Sequence, residues 1–82
     1  MENEMIEKEL VEAIAKSLVS DPTQVEVKVV KGEVSAILEL KVGEGDVGKV
    51  IGRGGIIAKS IRTIIRAVSV KNGRSVKLEI LG

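Results

Sequence analysis

Val50-Ile51-Gly52-Arg53-Gly54-Gly55-Ile56-Ile57 places a GxxG tetrapeptide between two apolar pairs. Glycine lets a backbone turn sharply and lets another backbone approach where a Cβ would stand in the way. Upstream, Asp46 reads as the cap of a short helix over Val47–Ile51. Downstream, a long helix is expected over about residues 55–70, with Ile57, Ile61, Ile64, Ile65 and Val68 on one broad face and Lys59, Arg62 and Arg66 on the opposite one. Asn72 and Gly73 then stop it in the manner of a C-cap. The tetrapeptide thus joins two helices and opens the second, whose first amides lack internal partners and carry the positive end of the dipole. Such a place suits a phosphate. Arg53 at the tip, Lys49 one turn before and Lys59 one turn after add cations around it. The same residues also describe a glycine corner that only lets two helices pack closely.

Outward from this centre, residues 5–19 carry Ile6, Leu10, Ala13, Ile14, Ser17 and Leu18 at the spacing of an amphipathic helix, with Asn3 as its expected N-cap and Ser20-Asp21-Pro22 as its stop. Val25, Val27 and Val29 alternate with charged residues, a strand. Residues 31–33 make a tight turn. A second strand follows over residues 34–42, with Ala36, Leu38, Leu40 and Val42 inward and Ser35, Glu39 and Lys41 outward. Residues 75–81 alternate Val76, Leu78 and Ile80 with Lys77 and Glu79, a third strand. The order αββααβ predicts an α+β domain of two layers: a three-stranded mixed sheet, helices packed on one face, and Lys28, Glu39, Lys41, Lys77 and Glu79 turned to water on the other.

At 82 residues there is room for one small domain, and 44% apolar residues suffice to fill it. None of them is aromatic, so stacking on rings is excluded as a way of recognising a base. Without Cys or His there is no disulfide, thiol nucleophile, zinc cluster or imidazole base, which leaves little catalytic chemistry. A non-enzyme without metal or cofactor is the expectation. The opening residues lack the apolar run of a signal peptide, and no segment approaches the roughly 18 apolar residues of a membrane span. These features predict a soluble cytoplasmic protein.

The net charge is +1, yet the charges are unevenly distributed. Residues 1–33 hold eight acidic residues against four lysines. Residues 47–77 hold Lys49, Arg53, Lys59, Arg62, Arg66, Lys71, Arg74 and Lys77 with no Asp or Glu among them. An acid-free stretch of that length points to a surface for a polyanion. A second glycine pattern, Gly43-Glu44-Gly45-Asp46-Val47-Gly48, matches GxGxxG. It lacks the βαβ unit of a dinucleotide site, and Glu44 and Asp46 would repel a pyrophosphate. It reads as a turn into a helix.

The string IGRGG between two helices, inside αββααβ, resembles the KH domain in its type II arrangement, and nearly the whole chain resembles the small bacterial single-KH-domain proteins of the KhpA family. This resemblance implies one KH domain over residues 1–82 that binds single-stranded RNA, its backbone clamping about four nucleotides. Gly52 and Gly55 would be the motif glycines, and Arg53 and Gly54 the variable tip. Lys49, Ile51, Lys59 and Arg62 complete the candidate RNA-contacting set. The turn at 31–33 would be the family's variable loop, here very short. The resemblance also implies self-pairing, or pairing with a larger KH-containing protein of the Jag (KhpB) type, and a role as an RNA chaperone or post-transcriptional regulator linked to cell shape, elongation and division.

Self-pairing has independent support. The aliphatic residues of the long helix spread over about 200° of the wheel, more than the roughly 100° that packing on a sheet needs. Ile56, Ile61 and Ala67 are the expected dimer residues. The competing reading is a protein-interaction module whose RNA affinity is incidental.

Overall fold

The computed structural model describes residues 5–82. The chain runs α1 (Ile6–Leu18), β1 (Glu26–Lys31), β2 (Ser35–Lys41), α2 (Val47–Ile51), α3 (Ile56–Lys71) and β3 (Ser75–Ile80), the expected αββααβ order. Short 3-10 turns lie at Pro22–Gln24, Glu44–Asp46 and Arg53–Gly55. The strands stand in the order β1-β2-β3. The hairpin makes β1 and β2 antiparallel. The α2–α3 segment carries the chain back across the sheet, so β3 pairs parallel to β2 and the sheet is mixed.

The period-two residues meet the helices on one face: Val27, Ala36, Leu38, Leu40 and Leu78 pack with Val11, Ala15, Val50, Ile61 and Ile65 in one core. On the outward face Glu26 stands opposite Lys41 and Lys28 opposite Glu39, opposite-sign neighbours of the kind that favour an antiparallel pair. Ile37 lies half-buried on that same face. Among the described residues no helix is long and apolar enough to cross a membrane.

Helix α1 keeps part of the face its apolar spacing predicts, with Leu10 and Ile14 packed against the core, but its fully buried stripe lies to one side of it. Glu7, Val11 and Ala15 point inward, while Ile6 is 56% exposed and Ala13 and Ser17 are also exposed. The cause is Glu7, which is fully buried. Arg74 Nη2 lies 3.1 Å from its Oε1, while Arg74 Nε and Ser69 Oγ each donate to its Oε2 at 3.2 Å. A paired carboxylate belongs to the core stripe, whereas periodicity alone counts it as surface. Burial pushes the Glu7 carboxyl up, but the hydrogen bonds from Arg74, its own backbone N–H and Ser69 outweigh that and hold its pKa below the usual value. The expected Asn3 cap lies outside the described residues. Met5 occupies the capping position, with no side-chain bond.

Candidate nucleic-acid interface

Helix α2 lasts five residues and stops at Gly52, whose φ of 79° and ψ of 170° lie in a region only glycine populates readily. A Cβ there would stand 2.6 Å from Ile57 Cγ1 and 2.9 Å from Ile57 N, so both conformation and space exclude a side chain. The loop closes through Gly52 N–H to Gly48 O at 2.9 Å and Gly55 N–H to Gly52 O at 3.1 Å. Gly54 (φ 64°) and Gly55 (φ 81°) follow in the left-handed region, and α3 starts at once. No side chain caps that start, although Ile56 N–H bonds back to Arg53 O across the turn. Arg53, Gly54 and Lys59 are exposed beside it, and Ile51 is half-buried against the core.

Asp46 and Lys49 depart from expectation together. Asp46 does not cap α2 with its side chain. Its carboxylate reaches back to the chain leaving α1, accepting from Ser20 N–H and Asp21 N–H at 3.1 Å each, and lies 3.2 Å from Lys49 Nζ. The Ser20 N–H bond, reinforced against burial by Asp21 N–H and Lys49, holds the Asp46 pKa below its usual value. Lys49 therefore spends part of its charge inside the fold, though its side chain stays 48% exposed.

Beyond the loop an open groove of about 580 Å3 runs between α3 and β3. Lys59, Arg62 and Arg66 line one side, Lys77 and Glu79 the other, with Ile65, Val76 and Leu78 as its apolar lining. Arg62 Nε donates to Leu78 O at 3.2 Å. Sequence reasoning left Arg66 and Lys77 out of the candidate site, although both lie in the acid-free stretch. Only the parallel pairing of β3 sets Lys77 across from α3. The 31–33 turn lies beside Asn72 and Gly73 at the far end of α3, and none of its residues lines the groove.

Helix α3 has three faces rather than two, because its basic residues flank the core stripe instead of opposing it. Opposite the core, Ile56 (62% exposed), Ile64 (45%) and Val70 (72%) surround Ala67, which is also exposed. Ser60 and Thr63 lie among them with their hydroxyls donated to the Ile56 and Lys59 carbonyls of the same helix. Ile56 and Ala67 are thus where the wheel reading expects them. Ile61 is not: at 3% exposure it is core, while Ile64, read as core, is outside.

A family model described as "KhpA/KhpB, KH domain" matches residues 8–80. The chain is 57% identical over 74 residues to the RNA-binding protein KhpA of Clostridium perfringens, covering 90% of this chain and 99% of that protein. It is 45% identical over 74 residues to the RNA-binding protein KhpA of Aquifex aeolicus, covering 90% and 94%. Among solved structures, Aquifex aeolicus Era bound to GDP.AlF4− superposes with a TM-score of 0.61 at 25% identity, over 92% of this chain but 29% of that one. Era in complex with MgGDPNP and nucleotides 1506–1542 of 16S ribosomal RNA gives 0.60 at 26% identity, over 90% and 28%. This chain is therefore similar to less than a third of either Era chain.

Proposed function

The chain belongs to the KhpA/KhpB family of KH domains, and we propose that it is a non-catalytic binder of single-stranded RNA whose 52–55 loop clamps phosphates. The observation that carries this is the uncapped start of α3, opened by glycines at positive φ and continued by the basic groove along β3. Acceptor-only phosphates meet backbone N–H groups at the loop and Lys59, Arg62, Arg66 and Lys77 further on. The described residues hold no group of three or more His, Cys, Asp or Glu suited to a metal. Binding should rest on charge: with three to four phosphates contacted, log affinity falls against log salt with a slope of roughly −2 to −3. The paired change Arg53→Asp with Gly54→Asp should abolish binding and leave the circular dichroism spectrum unchanged. Both positions are exposed, and aspartate is among the residues that best tolerate the left-handed angles at Gly54. A folded double variant that binds as the parent does refutes the clamp.

The exposed apolar face of α3 favours a second surface, used for pairing. Ile56, Ile64, Ala67 and Val70 would meet the same face of a second copy, or of a larger KhpB-type partner, and two linked RNA sites would raise avidity through effective concentration. Ile64→Lys should give a folded monomer in sedimentation, whereas Ile61→Asp should unfold the domain. A parent monomeric at high micromolar concentration excludes the homodimer. We assign this activity to the cytoplasm, where RNA held in this way would serve post-transcriptional control of cell elongation and division.

A further inference from the structure

We infer that the protein, paired through α3, holds two stretches of RNA antiparallel on one side of the pair, and so takes a strand that turns back on itself. The inference rests on both readings above, RNA in the groove and pairing through the exposed face of α3. Lys59, Arg62 and Arg66 lie on the flank of α3 that borders β3, where they line the groove. The exposed Ile56, Ile64 and Val70 face away from the core, about a quarter turn from that flank. This angle fixes where the two grooves go once two helices meet.

A twofold can lay α3 face to face on a second α3 in two ways. With the axis along the helices they run parallel, each residue meets its own copy, and the basic flanks turn to opposite sides. With the axis across the helices they run antiparallel, and both flanks turn to the same side. Charge and side-chain size favour the second. Parallel helices would bring the two loops together, Arg53 beside Arg53 and one positive helix end beside the other, whereas antiparallel helices set each positive end beside a negative one. At full overlap the antiparallel pair also lays Ile64 of one copy on Thr63 of the other, and Ser60 on Ala67, while the parallel pair presses Ile64 on Ile64. Ser60 and Thr63 can enter such a seam because their hydroxyls already donate within the helix. The same twofold reverses whatever polarity RNA takes in one groove. The 3′ end of one segment then lies at the same end of the pair as the 5′ end of the other, and a single strand can pass from groove to groove by a short turn. Ends of like kind are separated along the helix as well, by about 24 Å for the 16 residues of α3.

The test is binding of a uridine segment of about four nucleotides, alone or as two copies joined by an uncharged flexible spacer of varied length. The copies are joined either 3′ end to 5′ end or 5′ end to 5′ end. The parent, with its oligomeric state followed by sedimentation, should bind the 3′-to-5′ join about tenfold or more tighter than the single segment at the shortest productive spacers. The 5′-to-5′ join should gain only at longer ones. Ile64→Lys, checked for folding by circular dichroism, should still bind the single segment and lose the gain from joining. Equal gain for both joins, or an earlier gain for the 5′-to-5′ join, overturns the antiparallel arrangement and leaves RNA binding and pairing standing. So does a dimer that binds the single segment and gains nothing from joining, or a gain that persists in a monomeric Ile64→Lys. A parent that binds the segment as a monomer overturns pairing and this inference with it, and a folded dimer that binds no segment overturns the RNA reading.

Discussion

At its first turn α3 follows Gly54 and Gly55, both at positive φ, and no side chain attends its amides. At its last turn it passes into Gly73, also at positive φ, and there the chain closes on itself. Gly73 N–H reaches Val70 O at 3.1 Å and Arg74 N–H reaches Ser69 O at 3.0 Å, the paired bonds of a Schellman motif. The same turn brings the Arg74 guanidinium onto the Glu7 carboxylate, which Ser69 also serves. Glycine provides the backbone angle at both ends, but only the last turn is tied to the rest of the domain by side chains. A run of like charge in sequence therefore divides into a structural part, with Arg74 and part of Lys49, and a part that faces outward.

This contrast breaks most severely at Gly52. Gly52→Ala forces a Cβ against Ile57 in a backbone region that disfavours side chains, and should cost about 3 kcal/mol of unfolding free energy in urea titrations. Next comes the closed end. Arg74→Met leaves the buried Glu7 carboxylate without its cation and should cost about 2 to 3 kcal/mol, below the full toll for a wholly buried pair because the arginine side chain is 38% exposed. Its RNA affinity should fall far less than its stability, the reverse of the Arg53→Asp, Gly54→Asp pair.

Acid probes the same end more gently. Glu7 and Asp46 both have folded pKa values held below their ordinary 4.5 and 3.8. Their stabilising contribution is complete above the unfolded values and is lost as pH falls through the folded ones. Melting temperature should thus be flat near neutrality and drop on acidification from the ordinary carboxylate range downward, with a shallower drop in Glu7→Gln. The smallest change is expected at the open end: Gly54→Asn, with φ at 64° and nothing within 4 Å of the new Cβ, should shift stability by about 1 kcal/mol or less. A large loss there would mean that the loop tip is packed rather than open.

The element order, both hairpin strands, the inward residues of β3 and the glycine loop were legible because each is written in local spacing. What escaped the sequence is set by partners far along the chain. Glu7 finds Arg74 and Ser69 across the whole domain, and nothing in the periodicity of α1 marks a glutamate as part of the buried stripe. Asp46 looked like a local cap because it precedes a helix, but its bonds go back to Ser20 and Asp21. On α3 the 3.6 period identifies apolar residues without saying which are covered. Ile61 and Ile64 are both isoleucines near one arc, and only the position of the sheet separates them.

The parallel pairing of β2 with β3 has a consequence for how the protein is made. The β1–β2 hairpin is local and can close as soon as it is synthesised, but Leu38 waits for Leu78 before the sheet is complete. Long-range parallel contacts come late in folding, after the entropy of closing the intervening chain has been met. The local glycine turn can thus form before the groove between α3 and β3 exists.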